Sequence, residues 1–157
     1  MPAVAAVLCL AMGASDLAVW SRNRHADSVD SARQVATAAA QRAVRDILSY
    51  DYRSIDSDIS RAKAETTGLF ARQYAGTASA LLGQAKQLRA IVQATPAAPA
   101  VVSATSGEVV VLLFVDQASV RQQAGQKTPT TRIDQSRVRM TMTKVGNQWK
   151  VSQLAAL

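Results

Sequence analysis

The sequence predicts an α+β fold: an N-terminal transmembrane helix, then helices packed on one face of a curved antiparallel sheet of about four strands. Three observations carry this. Residues 3–20 form a nearly unbroken hydrophobic run. Residues 25–94 repeat their apolar side chains with the helical period. From Val101 the period changes to two, punctuated by turn residues. The 157 residues, less an anchor, suit one ordinary domain. The division is 1–21 for the anchor, 22–50 for a juxtamembrane segment and the first domain helix, and 51–157 for the rest of the domain.

The first element reads AVAAVLCLAMGASDLAVW, close to the lower limit of about 17–25 residues for a crossing helix. Asp16 interrupts it near its end. A carboxylate at mid-bilayer costs roughly 2.5–3.5 kcal/mol and less near an interface. Trp20 stands where an interfacial aromatic belongs, and Arg22 and Arg24 mark headgroups or water. A signal-anchor is the preferred reading. A signal peptide cleaved near Ala11-Met12-Gly13, or a buried helix, are the alternatives. The basic residues follow the run, so the positive-inside rule alone would put the domain in the cytoplasm.

Val29, Ala32, Val35, Ala36, Ala39, Ala43 and Ile47 predict an amphipathic helix over 25–50. A short helix over 57–65 follows, with Asp56 and Asp58 suited to its positive end. Thr67 can cap a third helix over 68–94, which Pro96 and Pro99 end. A strand is predicted over 100–105. Val109–Val115 is apolar on both parities and reads as a strand covered on both faces. Residues 121–130 form a loop, 131–144 a long strand, and Gly146-Asn147 a turn into a last strand over 148–154.

Chemistry is sparse. His25 is the only histidine and Cys9 the only cysteine, so neither a His/Cys zinc site of the usual type nor an intramolecular disulfide can be assembled. The glycines form no phosphate loop. Asp56, Asp58 and Ser60 begin like a calcium loop, but Arg61 stands where glycine is required and Thr67 where glutamate is required. No catalytic residue, cofactor or metal is assigned. The net charge of +7 is spread: residues 21–100 hold 11 basic and 7 acidic groups, and residues 101–157 hold 7 and 3. A basic patch with stacking aromatics is missing, which disfavours nucleic acid. Tyr50, Phe70, Tyr74, Phe114 and Trp149 read as core or pocket lining, and Arg132, Arg137 and Arg139 as a docking stripe on one strand.

Specific residues then point to a family. The first helix ends in Ser49-Tyr50-Asp51-Tyr52, followed by Ile55-Asp56-Ser57-Asp58, Thr66-Thr67-Gly68-Leu69-Phe70 and Tyr74. Val115-Asp116-Gln117, Arg139-Met140-Thr141-Met142 and Gln148-Trp149-Lys150-Val151-Ser152 come next, with Leu154 and Leu157. In order and spacing these resemble the actinobacterial Mce-associated membrane proteins over nearly the whole chain. The resemblance implies a single-pass cell-membrane protein with its C-terminal domain outside the cytoplasm. It implies a cone-shaped fold like nuclear transport factor 2, related to a type IV secretion component. It implies a non-enzymatic accessory role beside Mce complexes, which import lipids, with Mce transporter subunits or other envelope proteins as partners. The cytoplasmic basic segment usual in the family is missing and the anchor is short. A longer native N-terminus would account for both and would be found by sequencing the mature protein. A lipid-binding or small-apolar-ligand module using the cone cavity is the alternative function. An enzyme is the third reading, resting only on related folds.

Overall fold

The structure, a computed structural model, describes the backbone of residues 2–122 and 125–157; side chains are described for Arg24 and from Ala26 onward within those ranges. One helix, α1, runs Pro2–Leu48. The first domain helix therefore continues from the hydrophobic segment without a break. The side chains of the anchor expected over 1–21 lie outside the described residues. Among those described, no helix is long and apolar enough to cross a membrane. After α1 come β1 (Tyr50–Asp51), α2 (Ile55–Ala64), α3 (Gly68–Gln87), β2 (Ile91–Ala104), β3 (Glu108–Arg121), β4 (Thr130–Val145) and β5 (Gln148–Ala156). The strands pair antiparallel in the order β1-β2-β3-β4-β5.

The buried face of α1 is Ala32, Ala36, Ala39, Ala40 and Ala43, finished by Val44 and Ile47. Alanine is the best helix former and brings no bulk, so the helix can lie close against the sheet. The bulk comes from the sheet: Val109, Val111, Leu113 and Val115 from β3, Val138, Met140 and Met142 from β4, and Trp149 and Val151 from β5. A second cluster joins Ile55 and Ile59 of α2 to Ala78 and Ala85 of α3. Between α1 and α2, the buried carboxylate of Asp58 accepts from the Asp51 N–H at 2.8 Å, the Ser54 hydroxyl at 3.1 Å and Arg61 Nη2 at 2.7 Å. These bonds fix the turn from β1 into α2. Asp58 thus has a structural part in that turn.

Several expectations are corrected. The sheet has five strands; β1 is two residues long and gives no alternation to read. Helix α2 starts at Ile55, two residues early. Helix α3 stops at Gln87, well short of residue 94. Arg89, at φ 44°, turns the chain, and β-branched Ile91 and Val92 enter β2. Pro96 and Pro99 lie inside β2. Prolines survive in edge strands and bulges, and β1 covers only Ile91 and Val92 while the register shifts between Ala97 and Ala100. The strand expected over 100–105 is the second half of β2. Strand β3 is covered on one face only: Val109, Val111, Leu113 and Val115 are buried, while Phe114 is 47% exposed. An apolar run on both parities reports an affinity for cover; every helix of the domain packs on one side. The β4–β5 hairpin closes as expected through Gly146-Asn147, with Gly146 at φ 60°.

Candidate docking face

The side of the sheet away from the helices is built by the alternate residues of β3 and β4. Register places Phe114 opposite Arg137, Leu112 opposite Arg139, and Ala118 opposite Ile133. Ile133 is 74% exposed. An apolar lane on β3 thus lies beside a cationic lane on β4. Arg137 and Arg139 are both exposed and make no ion pair among the described residues. Asp116, the carboxylate next along the lane, accepts from Gln135 Nε2 at 2.9 Å. Such a face offers apolar contact and positive charge together.

Arg132 does not belong to it. The β3–β4 pairing runs without a register shift, and an odd separation from Arg137 puts Arg132 on the opposite face. Its Nε donates to Asp134 at 2.7 Å. The expected stripe of three arginines is therefore a pair. The aromatics divide similarly. Trp149 is 7% exposed and sits in the main core. Phe70 and Tyr74 pack against that core, with ring centroids 6.3 Å apart. Tyr50 packs on the second cluster. Phe114 alone of the five faces outward, and counting helices on each side of the sheet would have found it. Ile133 escapes the sequence reading because the alternation of that strand is clearest from Arg137 and Val138 onward.

A hollow of about 290 Å³ lies on the helix side, walled by Ile47, Leu48, Leu81 and Val92 and rimmed by Arg121 and Asp134. Another, of about 300 Å³, separates α1 from the β4–β5 hairpin and holds Glu65 among Arg42, Lys150 and Trp149. Burial pushes the Glu65 carboxyl above its ordinary range, as does Asp46, against Arg42 and Lys150. Burial, aided by Asp58, likewise raises the Tyr74 phenol. Among the described residues, no three His, Cys, Asp or Glu side chains come together as a metal site would need. The His25 side chain lies outside the described residues.

Comparison with known proteins is consistent with this architecture. The chain is 35% identical over 124 residues to the Outer membrane protein Rv1973 of Mycobacterium tuberculosis, covering 76% of this chain and 74% of the relative. Among solved structures, it is similar to CagV, a VirB8 homolog of the Helicobacter pylori type IV secretion system, at 12% identity and a TM-score of 0.60, covering 78% of this chain and 96% of CagV. An IcmL-like type IV secretion system protein of Legionella pneumophila gives 14% identity and a TM-score of 0.59, over 77% and 88% of the two chains. An Ntf2-like protein involved in plasmid conjugation gives 11% identity and a TM-score of 0.55, over 80% of this chain and 48% of that one. At such identities these structures speak for the fold, α+β of the VirB8 and nuclear transport factor 2 type. The family whose model matches spans residues 1–156, and the chain belongs to it: the family described as Uncharacterized protein Rv1363c/MT1408-like.

Proposed function

We propose that this protein is a non-enzymatic accessory of the cell envelope, anchored by residues 1–21, whose extracytoplasmic domain docks on Mce lipid-import complexes and stabilises or couples them. The observation that carries the docking reading is the open sheet face, where exposed Phe114 lies opposite Arg137 and Leu112 opposite Arg139. Large apolar side chains beside guanidiniums that make no ion pair among the described residues are what protein interfaces favour at their centres. The envelope setting is supported by the family relative, named an outer membrane protein, and by the hydrophobic run before the domain. The Mce partner is supported by the motif order that runs from Ser49 to Leu157.

The test is a mild-detergent pull-down of tagged full-length protein from its native membranes, with bound proteins identified by mass spectrometry. Mce transporter subunits should be enriched, and Arg137→Glu with Arg139→Glu should remove them while the domain melts normally. A prey list without those subunits would defeat the reading.

A second reading, a lipid or small-apolar-ligand module, is supported by the apolar walls of the helix-side hollow, Ile47, Leu48, Leu81 and Val92. At about 290 Å³ it has room for a small group or the end of a chain. Lipid extracted with the purified protein, and lost in Leu81→Trp, would favour it.

A further inference from the structure

The two edges of the sheet are finished differently. On β2, β1 takes Ile91 and Val92, the Ser49 hydroxyl accepts the Ala94 N–H at 2.9 Å, and Pro96 and Pro99 have no N–H to offer. Over residues 91–99 these features guard the edge against addition of another strand, and residues 100–104 lie beyond them. On β5, the opposite edge, only the first half is closed. The Thr67 N–H donates to the Val151 carbonyl and the Val151 N–H to the Glu65 carbonyl, each at 2.8 Å. The chain then leaves the edge and enters α3 at Gly68.

Past that point the edge is open. The Leu157 N–H donates to the Arg137 carbonyl at 2.9 Å, and Ala155 pairs with Arg139. Alternation along an antiparallel ladder then puts Leu154 and Ala156 in the non-hydrogen-bonded positions, opposite Met140 and Val138. Their N–H and C=O groups point outward and have no backbone partner among the described residues. From Ser152 to Ala156 the edge carries neither proline nor charge, the usual guards. Alongside runs a groove of about 340 Å³ between β5 and the first turn of α3. Leu69, 60% exposed, Phe70 and Leu154 form its apolar wall. Arg139 lines its other side; Ala155, its cross-strand neighbour, is too short to screen the guanidinium from the edge.

We propose that the β5 edge at Leu154–Ala156 takes an extended segment of a partner protein as a sixth strand, a segment that alternates apolar and acidic side chains. The backbone of the segment satisfies the outward groups of Leu154 and Ala156. Successive side chains of a strand point to opposite faces. One set meets Leu69 and Phe70 on the helix side, and the other meets Arg139 on the open side. The chain's net charge of +7 favours the acidic partner at longer range. This contact shares Arg139 with the open face but uses neither Phe114 nor Arg137, so substitutions at those two positions separate the two contacts.

The probe is a fluorescent eight-residue peptide alternating leucine and glutamate, titrated by anisotropy against the full-length protein in detergent. Saturable binding is expected. It should weaken at least ten-fold in Ala156→Pro, which removes an outward N–H and no ladder bond, and in Arg139→Glu. A block peptide of the same composition, and a leucine–lysine alternation, should bind at least ten-fold more weakly. Alternate N-methylation of the peptide should abolish binding and needs no folded variant. Equal binding of the block peptide, or binding unchanged by N-methylation, would overturn the proposal. Phe114→Asp serves as the separating control: it should leave peptide binding intact while impairing the open-face docking.

Discussion

Trp149 joins the hairpin end of the sheet to α1, lining the hollow that also holds Val35 and Ala39. With its ring 7% exposed, Trp149→Ala should destabilise the domain by about 3–5 kcal/mol in urea unfolding. A loss of a few tenths would mean the ring contributes little to the core. Glu65, in the same hollow, has its pKa raised by burial and by Asp46. An unfolded chain releases that proton at lower pH than the folded one does. The contribution to stability is therefore fully present below the unfolded pKa and lost as pH rises through the folded value. Glu65→Gln should accordingly gain stability relative to the parent at pH 7 and not at pH 4, read from the urea midpoints at the two values. A gain independent of pH would point to packing instead.

At the scale of elements, α1 shows what composition can disguise. Alanine abundance reads as weak core potential, yet the alanine face lets the sheet supply the large side chains. Ala40→Leu, at a position with no exposed surface, should cost about 1–3 kcal/mol through overpacking although leucine is an excellent helix former. Equal stability in thermal melts would show slack between helix and sheet. Gly146 sits at φ 60° with nothing within 4 Å of where a Cβ would stand. Gly146→Ala should thus cost about 1–2 kcal/mol from the backbone alone. The hairpin of β4 and β5 was legible in the sequence because its signals are local: alternation about Val138, Met140 and Met142, and a Gly-Asn turn. The end of α3 was not, since Leu88, Ile91 and Val92 continue its apolar period. What overrides that period is pairing with β3 and β1, a contact between residues far apart in the chain.

For the whole molecule, the α+β class was legible because, apart from two-residue β1, the helices precede the strands in the sequence. Which strand residues turn away from the helices was not. Arg132 reads as a neighbour of Arg137 and Arg139 until the unbroken register assigns it to the other face. Phe114 reads as core because Val109–Val115 is apolar on both parities, although the helices are expected on one face. The open sheet face is therefore a product of topology, and its components are ordinary strand residues in isolation. Its uncovered state is what the accessory reading explains.

The most direct test replaces Phe114 with a photo-crosslinking phenylalanine analogue in the full-length protein, in cells that carry it naturally. The same analogue at Trp149, in the core, serves as the reference. Crosslinks from position 114 to Mce transporter subunits, absent from position 149, are the predicted result. No crosslink to those subunits from position 114, with the protein present and folded in the membrane, would contradict the account.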